Sequence, residues 1–200
     1  MDTLLHGKLG KILGEDLNRR GYNINVGYFI YGSMLPDISP FYRFSMHTKE
    51  TNYTDVIKLM KDLVIGNDKL TVRSISIKLG MLNHYLCDFF TFPHNRGFKE
   101  SIIQHELYEQ VQRIVLWSKL QKIWNKYSEE AKIKLRTFEE IIMYIEDMHL
   151  IYNNNLSNRE RDIYFMSILS RAVSSSLLDL RRKCSSDIET KVENIKVSCL

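Results

Sequence analysis

The sequence is short of the residues that break helices and of those that form cross-links. Its 200 residues include only 9 glycines and 3 prolines, which disfavours a fold of many short hairpins and favours a few long helices. The 3 cysteines form no CxxC pair, and their odd number argues against a disulfide framework. Basic and acidic residues alternate, as in residues 159–162, so the net charge of +4 gives little support to a nucleic-acid groove.

The sequence also lacks features of export and of a second domain. The N-terminal segment MDTLLHGKLG has no apolar run as long as that of a secretory signal, which favours a cytoplasmic location. No internal repeat or linker is present, and 44% hydrophobic with 26% charged residues is typical of a soluble domain. We therefore expect a single domain over residues 1–200, with residues 184–200 forming a frayed tail.

Apolar residues recur at helical spacing, which predicts an all-α, single-domain bundle of six or seven helices. The clearest helix carries Ile141, Ile145 and Tyr152, with Thr137 and Glu140 as a capping box before them. Further helices are predicted at about 2–19, 51–65, 71–90, 98–126 and 158–180. Residues 22–50, which contain Gly32, Pro36 and Pro40, are predicted to be an irregular connection.

The predicted helix at 71–90 is apolar on two faces, so it should be buried. One stripe runs from Ile75 to Phe89, and the other continues from Met81 into His84 and Asp88. These two ionisable side chains would then point into the protein, where an unpartnered charge is very costly. A metal ion is one partner that would satisfy them.

Two histidines are followed by a carboxylate four residues later, which places both side chains on one helix face. His84 precedes Asp88 and His105 precedes Glu109, whereas 6 histidines and 24 acidic residues in 200 predict fewer than one such pair by chance. His94 lies between the two pairs. Zinc favours imidazole and carboxylate ligands, but on spacing alone a surface ion pair or a core histidine is an equally good interpretation.

Longer strings around these residues resemble the zinc-dependent phospholipase C family, which shares a superfamily with nucleases. Residues 79–95 read LGMLNHYLCDFFTFPHN and residues 105–109 read HELYE, similar to the family order of H-x3-D, P-H and H-x3-E. Residues 32–37, GSMLPD, resemble the G-S-x-x-P-D segment of the family, and His47 follows. His6 lies in the first predicted helix, where the family also has a histidine.

The resemblance implies a centre of two or three zinc ions. Its ligands would be eight side chains: His6, Asp37, His47, His84, Asp88, His94, His105 and Glu109. The set Asp37, His47, His84 and Asp88 would hold one zinc, and the set His94, His105 and Glu109 would hold a second. A third would be held by His6, by Asp88 as a bridging ligand, and by the N-terminal residue.

The resemblance also implies a function, namely a zinc-dependent phosphodiesterase that hydrolyses phospholipids. A metal-bound hydroxide would attack phosphorus, and Asp37 would ligate metal and orient or deprotonate the water. The expected partners are a phospholipid or other phosphodiester substrate and a transient membrane-surface contact, with no stable nucleic-acid partner. Two alternatives remain, a nucleotide or nucleic-acid phosphodiesterase of the same superfamily and a non-catalytic metal-binding protein.

Two further residues are predicted to be structural. His149 lies on an apolar stripe with no acid four residues later, which predicts a buried core histidine and not a ligand. Cys87 is adjacent to Asp88, but a free cysteine in a buried helix most often behaves as a small apolar residue.

Overall fold

The computed structural model describes residues 1–42, 47–65, 70–95, 98, 101–128, 133–154 and 158–198, without the side chains of residue 128 and residues 187–198. Within these residues the chain forms eight α-helices and one 3-10 turn at Phe92–His94, with no strand. The helices are α1 (Thr3–Arg19), α2 (Val26–Ile38), α3 (Lys49–Ile65), α4 (Val72–Phe89), α5 (Ile102–Leu116), α6 (Leu120–Ser128), α7 (Phe138–Asn153) and α8 (Arg159–Ser198). The prediction of one all-α domain is confirmed, with eight helices against the expected six or seven.

Helix α2 corrects the prediction that residues 22–50 form an irregular connection. A Cβ atom at Gly32 would lie 2.2 Å from the carbonyl oxygen of Ile77, and one at Gly80 would lie 2.3 Å from that of Phe29. The two glycines therefore allow the backbones of α2 and α4 to touch. Pro36 lies in the last turn of α2, where a missing N–H interrupts little of the helix. Gly32 and Pro36, which predict a helix break from the sequence, therefore lie inside a helix, and Gly32 serves its packing against α4.

The predicted helix at 98–126 is two helices in the structure. Helix α5 ends at Leu116 and α6 begins at Leu120. A tight turn joins them, because the Lys119 N–H donates to the Leu116 carbonyl three residues earlier at 3.0 Å. No glycine or proline marks this turn, so the sequence pattern could not reveal it.

Helices α4 and α8 form the centre of the bundle. Helix α4 packs against α1, α2, α3 and α8, and α8 also packs against α3, α6 and α7. From Leu82 to Phe89 α4 is buried on all sides, including His84 and Asp88, as the double apolar stripe predicts for this part of the helix. By length and composition, Arg159–Ser186 could cross a membrane, but 78% of its apolar window is buried inside the fold, as in a core helix. The predicted fraying of residues 184–200 stays a prediction, because side chains after residue 186 are outside the described part.

Helix ends near the N-terminus are fixed by local hydrogen bonds. The Asp2 carboxylate accepts hydrogen bonds from the Leu4 and Leu5 N–H groups and so caps the start of α1. Gly21, with a φ of +83°, follows the end of the helix and turns the chain toward α2. The Asp2 cap fixes the first turn of α1, which carries His6.

Candidate metal centre

The structure brings all eight predicted ligands into one connected cluster, although they come from six separate segments. Helix α1 supplies His6, the end of α2 supplies Asp37, and His47 lies just before α3. Helix α4 supplies His84 and Asp88. The 3-10 turn supplies His94, and α5 supplies His105 and Glu109. The assignment of each residue to a metal stays a prediction, but their proximity is a property of the fold.

The first predicted ligand set has the spacing of a tetrahedral site. His84 Nε2 lies 3.1 Å from both His47 Nδ1 and Asp88 Oδ2, and His47 Nδ1 lies 3.4 Å from Asp88 Oδ2. Asp37 Oδ1 lies 3.6 Å from His84 Nε2 and 3.8 Å from His47 Nδ1. Two ligand atoms on one tetrahedral zinc are about 3.4 Å apart, because each bond is about 2.1 Å long. Five edges of the tetrahedron are therefore close to the required length.

Backbone carbonyls orient the two histidines of this set. His84 Nδ1 lies 3.0 Å from the Ser33 carbonyl oxygen, and His47 Nε2 lies 3.2 Å from the Tyr42 carbonyl oxygen. A ring nitrogen that donates to a carbonyl leaves the other nitrogen free to bind metal. His47 also has a φ of +46°, in the left-handed region that is uncommon for residues with a Cβ and is frequent at functional sites.

The second predicted set surrounds one carboxylate oxygen. Glu109 Oε1 lies 3.0 Å from His94 Nε2 and 3.0 Å from His105 Nε2. The rings of His94 and His105 are edge to face, with centroids 4.7 Å apart. Two imidazole nitrogens and a carboxylate are a frequent protein ligand set of catalytic zinc, which keeps a further position for water or substrate.

The two oxygens of Asp88 face different groups, as a bridging carboxylate requires. Oδ2 faces His47 and His84, whereas Oδ1 lies 3.1 Å from His6 Nε2 and 3.7 Å from His94 Nε2. The Met1 amine donates to Asp88 Oδ1 at 2.6 Å and lies 2.7 Å from Glu109 Oε1. The amine thus occupies the place beside His6 and Asp88 that the family resemblance gives to the N-terminal residue. His6 also lies close enough to Asp37 and His84 to share an ion with them.

Burial and opposite charges shift the pKa values of these groups in different directions. Burial, followed by the neighbouring His84, lowers the pKa of His6 to about 4, and burial also lowers that of His94. Burial alone would raise the pKa of Asp88, but the surrounding histidines and the Met1 amine hold it well below its usual range. Asp88 is therefore ionised, and His6 and His94 are neutral at pH 7, which are the protonation states that bind metal.

The carboxylates of Asp88 and Glu109 shift the pKa of the Met1 amine in the upward direction. Burial opposes its charge, yet Asp88 and Glu109 raise the pKa of the Met1 amine to about 11. Glu109 is held ionised in return, since burial is outweighed by the amine and by hydrogen bonds from His105 and His94, which lower its pKa. The two carboxylates therefore favour a positive charge between them.

The chemistry of these residues fits a zinc centre. His6 Nδ1 is buried and has no hydrogen-bond partner among the described residues. Unpartnered polar atoms of this kind are rare in protein interiors and call for an ion or another ligand. The side chains that converge here supply only imidazole nitrogen and carboxylate oxygen, which are zinc ligands.

Two supporting residues were missed by the sequence analysis. The Thr3 hydroxyl donates to Asp37 Oδ2 at 2.8 Å and so ties the first turn of α1 to the end of α2. The fully buried Asp162 accepts hydrogen bonds from Tyr108 at 2.7 Å and Tyr152 at 2.6 Å, which links α5, α7 and α8 beside Glu109. In the sequence Asp162 is one of four alternating charged residues. Only its position next to an apolar stripe could have distinguished it as a buried residue.

The two residues predicted to be structural lie outside the cluster. His149 is buried, and its Nε2 lies 3.0 Å from Asn95 Oδ1. Cys87 is fully buried, and burial raises the pKa of its thiol to about 12, so the thiol is neutral at pH 7. Both predictions of burial are confirmed.

Comparison with known proteins agrees with this geometry. No curated protein and no solved structure matches the chain. A family model described as zinc dependent phospholipase C matches residues 5–162, which include all eight predicted ligands. Because the match spans most of the chain, the protein belongs to the zinc-dependent phospholipase C family.

Proposed function

We propose that the chain is a zinc-dependent phosphodiesterase that cleaves phospholipids to diacylglycerol and a phosphorylated head group. The observation that carries the proposal is the spacing of the donor atoms around Asp88. Asp88 Oδ2 and the donor atoms of Asp37, His47 and His84 have the spacing of a tetrahedral site. The second oxygen of Asp88, Oδ1, faces His6. Membership of the phospholipase C family supports a phosphodiester of a lipid as the substrate.

The residues present divide the work of such a reaction. Asp37, His47, His84 and Asp88 would hold one zinc, and His94, His105 and Glu109 a second. Bound zinc supplies Lewis acidity, which stabilises charge on phosphoryl oxygens and lowers the pKa of a water. His6, Asp88 and the N-terminal residue would hold a third, and Asp88, which is ionised at pH 7, would be shared between the first and the third.

Asp37 is the best placed residue to handle a proton. Its side chain keeps 22% of its surface exposed, whereas Asp88 is fully enclosed. The Thr3 hydroxyl fixes Asp37 Oδ2, so Oδ1 faces the two histidines with a defined orientation. An oriented and accessible carboxylate can align a water and accept its proton.

Substitution of Asp88 tests the proposal. We expect Asp88→Asn to lose bound zinc and to reduce hydrolysis of a chromogenic phosphocholine diester by more than about 100-fold, because one change removes the charged ligand that the first and third zinc ions would share. The matched control is Asp16→Asn, which alters a buried carboxylate that pairs with Arg20 and Arg171 and lies outside the cluster. The control should keep at least two zinc ions per chain, as measured by elemental analysis.

Parallel assays separate this function from its rivals. Chelator-sensitive cleavage of a nucleotide diester alone would favour the nucleotide phosphodiesterase. Bound zinc with cleavage of neither substrate would favour a metal-binding protein without turnover. Purified protein that takes up no zinc, or an Asp88→Asn variant that stays fully active, would refute the ligand assignment.

A further inference from the structure

Asp162, on α8, is a fully buried carboxylate that accepts hydrogen bonds from three other segments of the chain. Its Oδ2 accepts from the Tyr108 hydroxyl at 2.7 Å, from the side-chain amide of Gln112 at 3.0 Å and from the Phe92 N–H at 3.5 Å. Its Oδ1 accepts from the Tyr152 hydroxyl at 2.6 Å. Burial of a carboxylate is costly without such donors, so the positions of the donors around it are constrained.

The two donors on α5 share one face of that helix with the predicted ligands His105 and Glu109. Tyr108 directly precedes Glu109, and Gln112 follows Glu109 by three residues. Because a helix turns about 100° per residue, these four side chains fall within an arc of about 100°. Hydrogen bonds from Tyr108 and Gln112 therefore fix both the position of α5 and its rotation about its own axis, which together set where the two ligands point.

Helix α5 has little apolar packing that could hold it in place by other means. Of its 15 residues, all within the described part of the chain, only Gln112 and Leu116 are buried. The ion pair between Arg113 and Asp2 is partly exposed, and exposed ion pairs contribute little to stability. The hydrogen bonds to Asp162 are therefore a principal constraint on the position of α5.

The same carboxylate also holds the 3-10 turn that carries the remaining ligand of this set. Phe92 begins the turn, and its ring packs against that of Tyr108 with the centroids 5.9 Å apart. His94 follows two residues later, and its Nε2 lies 3.0 Å from Glu109 Oε1. All three ligands of the second set are thus on segments that donate to Asp162. The ligands of the first set lie on other segments, so a change at Asp162 should reach the second set first.

We propose that Asp162 is the positioning residue of the second ligand set and holds His94, His105 and Glu109 at the separations that one zinc ion requires. This inference rests on the ligand assignment made in the proposed function. Asp162 acts through its donors on α5 and on the 3-10 turn, and it is not itself a ligand. Residues that orient metal ligands typically change metal affinity by roughly 10- to 100-fold when they are replaced.

A matched pair of tyrosine variants tests this role. Tyr108→Phe removes the hydroxyl that ties α5 to Asp162, and Tyr152→Phe removes the hydroxyl that ties α7 to the other oxygen of the same carboxylate. Each variant keeps its aromatic ring and takes one donor from Asp162, so both should unfold at lower urea concentrations than the wild type. Only Tyr108→Phe loosens a segment that carries ligands, because α7 has no predicted ligand.

Zinc titration followed by NMR of the histidine rings reads the two ligand sets separately. Zinc is added at pH 7 to the chelator-treated full chain, in which the 6 histidines carry a nitrogen isotope label. We expect Tyr108→Phe to weaken zinc binding at His94 and His105 by about 10-fold and to leave binding at His47 and His84 within about 2-fold of the wild type.

The other variants complete the comparison. Tyr152→Phe should bind zinc at both sets as the wild type does. Asp162→Asn should weaken binding at the second set by about 10-fold or more, because one oxygen that accepts hydrogen bonds becomes an amide group that donates them. The double variant of Tyr108→Phe with Asp162→Asn should be no weaker than Asp162→Asn alone, since the hydroxyl acts through the carboxylate. If Asp162→Asn does not fold, Tyr108→Phe still carries the test, because it keeps the carboxylate.

Other outcomes separate this inference from the proposed function. Equal loss of zinc affinity in the two tyrosine variants, equal weakening at both ligand sets, or unchanged binding in Tyr108→Phe would overturn the positioning role and leave the enzyme standing. The expected shift at the second set in a chain that hydrolyses no diester would support the positioning role while refuting the enzyme. Wild-type rings of His94 and His105 that take up no zinc would refute the ligand assignment and this inference with it.

Discussion

The buried histidines have different partners, and their pKa values are shifted in different directions. His47 faces Asp88, whose hydrogen bond and charge overcome burial and raise the pKa of the imidazole. His149 faces Asn95, which carries no charge, and burial followed by the nearby Lys49 lowers its pKa to about 4. The same residue type therefore has a raised pKa beside a carboxylate and a lowered pKa beside a neutral amide.

This difference predicts a pH effect at His149. Its pKa of about 4 in the fold lies below the ordinary 6.5, so the unfolded chain binds more protons between these values. The stability that depends on neutral His149 is present above pH 6.5 and is lost as the pH falls toward 4. We expect the free energy of unfolding of His149→Gln to fall less than that of the wild type over this range.

Urea unfolding at a fixed free zinc concentration measures this difference. The contributions of His6 and His94 are common to both proteins and cancel when the two curves are subtracted. Parallel pH profiles for the variant and the wild type would show that folding does not shift the pKa of His149.

At the scale of elements, α2 and α4 make a close backbone contact. Gly32 and Gly80 place backbone against backbone, so this contact has no flexible side chain that could move aside. Because α2 carries Asp37 and α4 carries His84 and Asp88, the helix contact also sets the distance across the first ligand set.

We expect Gly80→Ala to destabilise the protein by about 2 kcal/mol or more, because the new methyl group would force the two helices apart. The control is Gly27→Ala in the partner helix α2, where the nearest atom to a new Cβ is 3.4 Å away. This control should be neutral or more stable by up to about 1 kcal/mol, since alanine favours helix. Urea unfolding compares the two, and similar stabilities would contradict the close helix contact.

At the scale of the whole molecule, the metal centre joins parts of the chain that are far apart in sequence. His6 and Glu109 are separated by 103 residues (109 minus 6) and belong to one connected cluster. A ligand that binds only the folded state stabilises it by mass action, so zinc should contribute directly to folding.

Removal of zinc should therefore lower the melting temperature. At free zinc about 100 times its dissociation constant, the expected loss is about 2.7 kcal/mol, or about 5–10 °C for a chain of this size. Calorimetry with and without chelator measures the shift. Asp88→Asn is the control, because a chain that cannot hold zinc should melt at the same temperature in both conditions. An unchanged wild-type melting temperature would argue against a bound ion.

Local patterns in the sequence were sufficient for most helices and for the identity of the candidate ligands. Spacing of three and four residues is a property of the helix itself, so α1, α4 and α7 were predicted close to their observed bounds. The pairs His84 with Asp88 and His105 with Glu109 follow from the same geometry. The family resemblance then added His6, Asp37 and His47, which no spacing rule connects to the others.

The sequence by itself determined the all-helical class, the zinc-ligand chemistry and the family. The tertiary structure decided that Gly32 and Gly80 meet between helices, that His47 adopts a positive φ, and that the two oxygens of Asp88 face different groups. The physical reason is that helix periodicity depends on residues within a few positions, whereas these features depend on contacts between segments distant in the chain.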